Sequence, residues 1–215
     1  MAGVTEFSGV YGILPADLEL TDLLTRAEGA MQGGIRILQF RDKSHKQDAF
    51  HRARALRVVT EESGTRLIIN DSIQLALDIG ADGVHLGRGD IGDLSRLRSE
   101  AGDKLIIGIT CRSDIDFGKQ ALKYGANYLS FGAVIPSSSK PEVPAIGLPG
   151  IKMIRNRLPN AKICAIGGIT INNLAAVKST GADMACLISG LFDNKDISEA
   201  ASHLIRVWEA ECPQQ

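Results

Sequence analysis

A chain of 215 residues, 44% hydrophobic and 23% charged, has apolar material for one large core, which excludes disorder as its main state. Lys and Arg number 24 against 25 Asp and Glu, a formal net charge of −1, so no global field draws the protein to nucleic acid or to an acidic membrane. No segment has the layout of a signal peptide, and no apolar run nears the roughly 18 residues of a membrane span. The expectation is a cytoplasmic protein with no nucleic-acid or membrane partner. Cys111, Cys164, Cys186 and Cys212 form no C-x-x-C pair and read as free thiols in a reducing compartment.

Short apolar runs alternate with longer amphipathic stretches along the chain. The expected strands are Val10–Leu14, Ile35–Phe40, Leu67–Asn70, Gly83–Leu86, Leu105–Thr110, Tyr128–Phe131, Ile163–Ile166 and Met184–Ile188. Apolar residues recur at helical spacing in Thr21–Met31, Gln47–Glu62, Ile73–Ile79, Ser113–Tyr124, Gly150–Leu158, Ile171–Ser179 and Ile197–Cys212. Gly80-Ala81-Asp82, Gly125-Ala126-Asn127 and Gly181-Ala182-Asp183 form a weak internal repeat, each just before a strand. Glycine there suits a left-handed residue closing the preceding helix. Alternating strands and helices imply a parallel sheet buried on both faces. Eight such units make residues 1–215 a single-domain (β/α)8 TIM barrel, with a doubly wound open sheet as the competing architecture.

In such a barrel, chemistry collects beyond the carboxyl ends of the strands. Gln39, Phe40, Arg41, Asp42 and Lys43 close or follow the second strand, Asn70 and Asp71 the third. His85, Arg88 and Asp90 belong to the fourth, and Thr110 ends the fifth. Ser137, Ser138, Ser139 and Lys140 follow the sixth, Gly167-Gly168 the seventh, and Ile188, Ser189 and Gly190 the eighth. Arg41, Lys43 and Lys140 are cations suited to phosphate oxygens, or else a solvated turn and a polar loop. Asp71 and Asp90 either hold Mg²⁺, which favours oxygen ligands, or cap the helices that follow them. His85 reads as core structure. The four histidines offer no zinc constellation. Small residues after the seventh and eighth strands suit a phosphate approaching the main chain. The layout implies two anionic groups, a diphosphate near strands two to six and a monophosphate near strands six to eight.

Gln39-Phe40-Arg41-Asp42-Lys43, Ile69-Asn70-Asp71, Asp82–Gly87 with Asp90, Pro136–Lys140 and Ala165–Ile169 together resemble the thiamine-phosphate synthase family, from Tyr11 to about Ser189. The resemblance implies a Mg²⁺-assisted transferase that joins 4-amino-2-methyl-5-hydroxymethylpyrimidine diphosphate to a thiazole phosphate, releasing pyrophosphate. It places Gln39, Arg41, Lys43, Asn70, Thr110 and Lys140 on the pyrimidine diphosphate and Mg²⁺ on Asp71 and Asp90. Ser137, Ser139, Gly168, Ile188 and Ser189 then hold the thiazole phosphate, and Phe40, Asp42 and Ser138 are expected among the substrate-binding residues. It also implies a dissociative mechanism in which pyrophosphate leaves before the thiazole nitrogen attacks. Arg88 stands where Gln is common and Thr110 where Ser is common. Gly132-Ala133 replaces Gly-Pro, Ser137 and Ser139 replace threonines, and Ser189-Gly190 replaces Ser-Ala, which is expected to widen the last loop slightly. The alternatives are a thiazole tautomerase, whose family resemblance calls for a histidine where this chain has Cys111-Arg112, and a non-catalytic phosphate-ligand sensor on the same barrel. The sequence carries no sign of oligomeric state.

Overall fold

The computed structural model describes residues 7–42, 48–136 and 144–210. Eight parallel strands close into a barrel in chain order: β1 (Gly9–Ile13), β2 (Ile37–Phe40), β3 (Arg66–Asn70), β4 (Gly83–Leu86), β5 (Ile106–Arg112), β6 (Tyr128–Phe131), β7 (Ile163–Ile166) and β8 (Met184–Leu187). Closure is made by β1 on β8, with Gly9 opposite Met184 and Gly12 opposite Leu187. The open-sheet alternative falls with that pairing.

Around the barrel lie α1 (Leu20–Gln32), α2 (Ala49–Ser63), α3 (Ile73–Asp78), α4 (Leu97–Ala101), α5 (Ile115–Lys123), α6 (Gly147–Arg157), α7 (Leu174–Ser179), α8 (Ser189–Phe192) and α9 (Ile197–Glu209). Alternation along each strand sorts its side chains into two cores. Leu38, Phe40, Leu67, Ile69, Val84, Ile107 and Leu129 face the helices. Tyr11, Ile13, Ile37, Ile68, Tyr128, Cys164, Met184 and Cys186 fill the barrel interior.

The repeat seen in the sequence marks the amino-terminal face of the barrel. Gly80, Gly125 and Gly181 all take positive φ, as helix-closing residues require. The residue two positions on then clamps a neighbouring strand. Asp82 accepts the N–H of Leu67 at 2.8 Å and an Arg57 hydrogen bond at 2.8 Å. Asn127 accepts from Ile107 N and from Arg98, both at 2.8 Å. Asp183 accepts from Ile163 N at 2.8 Å and from Arg155. Three equivalent clamps therefore tie helix to strand on the face away from the strand ends where polar residues gather.

Among the described residues, no helix is long and apolar enough to cross a membrane.

Candidate active site

The carboxyl ends of the strands form the site, and β2 delivers its first residues. Gln39 points inward and is buried. Phe40 points outward into the helix-facing core. Arg41 follows at the rim, half-buried. Asp42 is engaged below it, where its carboxylate accepts from Arg52 Nε at 2.5 Å and Arg52 in turn donates to the Leu18 carbonyl. Both side chains of that pair are buried, so Asp42 anchors the β2 loop to α2. Lys43 lies outside the described residues, as do Ser137, Ser138, Ser139 and Lys140.

The two aspartates proposed for metal or for capping follow neighbouring paired strands, Asp71 directly after β3 and Asp90 in the short turn after β4, with Asn70 opposite His85 in the register. Neither caps the following helix. Ser72 caps α3 by accepting from Leu75 N at 3.1 Å, and Asp93 accepts from Ser95 N at 2.9 Å at the start of the next short helical turn. Asp71 is exposed, adopts a left-handed φ of 65°, and donates its N–H to the His85 carbonyl at 2.9 Å. Asp90 is exposed and closes its own turn by accepting from Gly87 N at 2.9 Å. Among the described residues no group of three or more His, Cys, Asp or Glu gathers as a metal cage. Two carboxylates at an open rim, with no imidazole or thiolate, fit a hard cation that keeps water and phosphate oxygens as its other ligands.

Arg88 does not reach into the barrel. Its guanidinium pairs with Asp114 at 2.6 Å and lies 4.1 Å from the centre of the Phe117 ring. Asp114 is the N-cap of α5, accepting from Phe117 N at 2.9 Å, and these bonds hold its carboxyl below the usual carboxylate range, the Arg88 bond most. The departure at position 88 thus ties the β4 loop to the β5 loop. Beyond Thr110 the β5–β6 register shifts, and Arg112 takes a φ of 57°. Cys111, at the position where the tautomerase resemblance calls for a histidine, is buried, and burial pushes its thiol up to about 12.

Inside the barrel, sequence reasoning missed a chain of polar groups. Gln39 Nε2 donates to the Tyr11 hydroxyl at 2.8 Å, which lies 3.2 Å from the Tyr128 hydroxyl. Tyr128 is 2.9 Å from His85 Nδ1, and His85 Nε2 is 2.8 Å from Thr110 Oγ1. Burial lowers the His85 pKa to about 4, with the Asp90 charge opposing, so its imidazole is neutral at physiological pH. The one signal for this arrangement was Gly108. A Cβ there would fall 2.0 Å from the Tyr128 ring, so the glycine makes room for that ring on the neighbouring strand.

The opposite side of the mouth is built from main chain. Val134 N donates to the Ile166 carbonyl at 2.9 Å and Ile135 N to the Gly167 carbonyl at 3.0 Å, lacing the β6 loop to the β7 loop. Gly167 and Gly168 take φ of 103° and 65°, and a Cβ on Gly168 would lie 2.7 Å from the Ile135 carbonyl oxygen. Asn173, also missed in the sequence, staples the turn from both sides, accepting from Thr170 N at 2.9 Å and donating to the Gly168 carbonyl at 3.0 Å. Ile188 and Ser189 are exposed at the rim. A Cβ on Gly190 would lie 2.4 Å from the Ile169 carbonyl oxygen, so this glycine draws the β8 loop inward onto the β7 loop and does not widen it.

Comparison with known proteins falls on the same elements. A family model described as thiamine monophosphate synthase matches residues 10–191. The chain is 42% identical over 208 residues to the thiamine-phosphate synthase of Thioalkalivibrio sulfidiphilus, covering 94% of this chain and 95% of that one. It is 40% identical to the thiamine-phosphate synthase of Bordetella bronchiseptica, covering 90% and 92%. Among solved structures, thiamine phosphate pyrophosphorylase from Pyrococcus furiosus superposes with a TM-score of 0.80 at 27% identity, covering 94% and 95%. A 3-hexulose-6-phosphate synthase matches with a TM-score of 0.71 at 14% identity, which shows the shared barrel alone.

Proposed function

The chain belongs to the thiamine monophosphate synthase family, and from that premise we propose that it joins 4-amino-2-methyl-5-hydroxymethylpyrimidine diphosphate to thiazole phosphate, giving thiamine phosphate and pyrophosphate. The observation that carries this reading is that Asp71 and Asp90 lie exposed in the turns after adjacent strands, β3 and β4, while Ser72 and Asp93 cap the helical turns that follow. Two exposed carboxylates thus share the carboxyl-terminal rim with the cation Arg41.

In this reading Gln39 and Thr110 bind the pyrimidine diphosphate from the barrel side, and Asn70, Arg41, Lys43 and Lys140 from the rim. The bond between the pyrimidine methylene carbon and the diphosphate oxygen breaks with its electron pair leaving on pyrophosphate. The thiazole nitrogen then supplies the pair for the new carbon–nitrogen bond. Such a reaction needs charge neutralisation on the leaving group and close positioning more than it needs a base. Arg41, Lys43 and Lys140 provide the first from this chain. A Mg²⁺ held by Asp71 and Asp90 would add charge neutralisation on the diphosphate. The β7 and β8 turns, with Gly168, Ile188 and Ser189 joined by Ser137 and Ser139, hold the thiazole phosphate and so fix the direction of attack. Phe40 and Asp42 act from behind, through the outer core and the Arg52 pair.

The test is pyrophosphate release by the purified protein with both substrates, with each omitted, and with EDTA. Release that needs both substrates and Mg²⁺ supports the synthase. Isomerisation of a thiazole phosphate without pyrophosphate release would replace it with the tautomerase, and binding without turnover with the sensor.

A further inference from the structure

The polar chain through the barrel interior links β2, β1, β6, β4 and β5, from Gln39 through Tyr11, Tyr128 and His85 to Thr110. Its two ends are groups that the proposed reaction places on the pyrimidine diphosphate, and its three middle members touch no substrate in that reading. We propose that Tyr11, Tyr128 and His85 are positioning residues that fix the hydrogen-bond polarity of both ends, making Thr110 a donor and the Gln39 amide oxygen an acceptor toward the pyrimidine substrate. The proposal rests on the synthase reading for the identity of that substrate.

Counting hydrogens sets the direction. Gln39 directs its amide N–H to Tyr11, and the buried Tyr11 hydroxyl hydrogen, which needs an acceptor of its own, goes onward to Tyr128. Tyr128 then donates to His85 Nδ1, which must be bare. A neutral imidazole with a bare Nδ1 carries its proton on Nε2, and that proton goes to Thr110 Oγ1. Thr110 is left with its own hydrogen to give, and Gln39 with Oε1 to receive. A phosphate oxygen accepts and an exocyclic amine donates, so this polarity matches an aminopyrimidine bearing a diphosphate. With the Gln39 amide turned over, every link reverses and the Thr110 hydrogen points back at His85.

The chain is built for this arrangement. Tyr128 occupies space that any side chain at position 108 would take. Tyr11 and Tyr128 are fully buried, and Phe7 packs against both rings. The Tyr11–Tyr128 link is the longest, at 3.2 Å, and hence the weakest.

Two measurements test it. In nitrogen-15-labelled full-length protein, with the His85 signals assigned by their loss in His85→Gln, wild type should show protonated Nε2 and bare Nδ1, and Tyr128→Phe a tautomer mixture. In steady-state kinetics Tyr128→Phe, which removes the bonds to both Tyr11 and His85, should raise KM for the pyrimidine diphosphate about tenfold, the equivalent of one hydrogen bond lost at the substrate, and leave KM for thiazole phosphate unchanged. Tyr11→Phe removes both the Gln39 bond and the link to Tyr128, and should likewise raise KM for the pyrimidine diphosphate while leaving that for thiazole phosphate unchanged. Protonated Nδ1 in wild type, or an active Tyr128→Phe with unaltered KM for the pyrimidine diphosphate, would overturn the proposal. If wild type releases no pyrophosphate, the synthase reading is what fails, and the tautomer of His85 still decides the polarity of the chain.

Discussion

Asparagine tolerates the left-handed region about as well as aspartate does, which makes it the informative replacement at Asp71, where φ is 65°. At Asp90 it keeps an oxygen for the Gly87 N–H. Asp71→Asn and Asp90→Asn should therefore preserve the backbone and remove only charge. Each is expected to lower Mg²⁺-dependent turnover on the order of 10²-fold with little change in melting temperature. Turnover unchanged at limiting Mg²⁺ would remove them from the metal role. His85 gives a different signature, because burial sets its folded pKa at about 4 against an ordinary 6.5. Below about pH 6.5 the unfolded chain takes up a proton that folded His85, facing Tyr128, Thr110 and the opposing Asp90 charge, refuses. The stability from this group is thus complete above pH 6.5, declines as the pH falls, and is fully lost below about 4. The total is about 3 kcal/mol. Urea unfolding across that range should show this slope in wild type and a flatter one in His85→Gln. The placement of Arg41, Asn70, Asp71, Asp90 and Thr110 at or just beyond the carboxyl ends of the strands was legible, since they are polar groups closing or following apolar runs. Tyr11 and Tyr128 were not. Inside an apolar strand a tyrosine reads as core, and its hydroxyl partners come from strands far away in sequence. Asp42 shows the converse, a rim aspartate whose partner Arg52 lies on the next helix, where nothing local marks it.

The strands and the larger helices of this barrel were readable because their apolar residues recur with a fixed period. Differences arise where tertiary contacts set the boundary. Ile35 is outside β2 because its N–H closes α1 on the Ala30 carbonyl at 3.0 Å. β5 runs to Arg112 through a bulge that no alternation of apolar residues signals. The short α4 and α8 are too brief to show a helical period. The Gly-Ala-Asp repeat announced where helices close but not what the third residue does. In Asp183→Ala, the Ile163 N–H and the Arg155 guanidinium lose a shared acceptor in a partly buried position. A loss of about 1–3 kcal/mol in urea unfolding is expected. Because the clamp lies at the amino end of its strand, turnover per folded molecule should not change. An equal loss of activity and stability would mean that strain travels the length of β7 and β8. At the other end, Gly190→Ala sets a Cβ 2.4 Å from the Ile169 carbonyl oxygen. It should push the turns after β7 and β8 apart and, on the proposed reading, raise KM for thiazole phosphate, leaving that for the pyrimidine diphosphate unchanged.

At the scale of the molecule, the barrel separates stability from chemistry by face. The amino-terminal face carries the three clamps. The carboxyl-terminal face carries the exposed carboxylates, the rim cation Arg41 and the close-packed glycine turns. If Asp71 and Asp90 hold Mg²⁺ as proposed, removing it should cost activity and not fold, since the helix starts near them depend on Ser72 and Asp93. EDTA is expected to abolish pyrophosphate release while leaving the melting temperature of the ligand-free protein where it was. Adding Mg²⁺ with pyrophosphate should then raise it, because a ligand at about 100 times its Kd stabilises the folded state by about 2.7 kcal/mol. For a chain of this length that is a shift of roughly 5–10 °C. Pyrophosphate without Mg²⁺ should give a much smaller shift, since its charge then meets only the cations while Asp71 and Asp90 repel it. In Asp71→Asn and Asp90→Asn the two shifts should converge, for the repulsion and the metal contact disappear together. Equal shifts with and without Mg²⁺ in wild type would mean that the cations alone hold the product and that the aspartates serve the rim's shape.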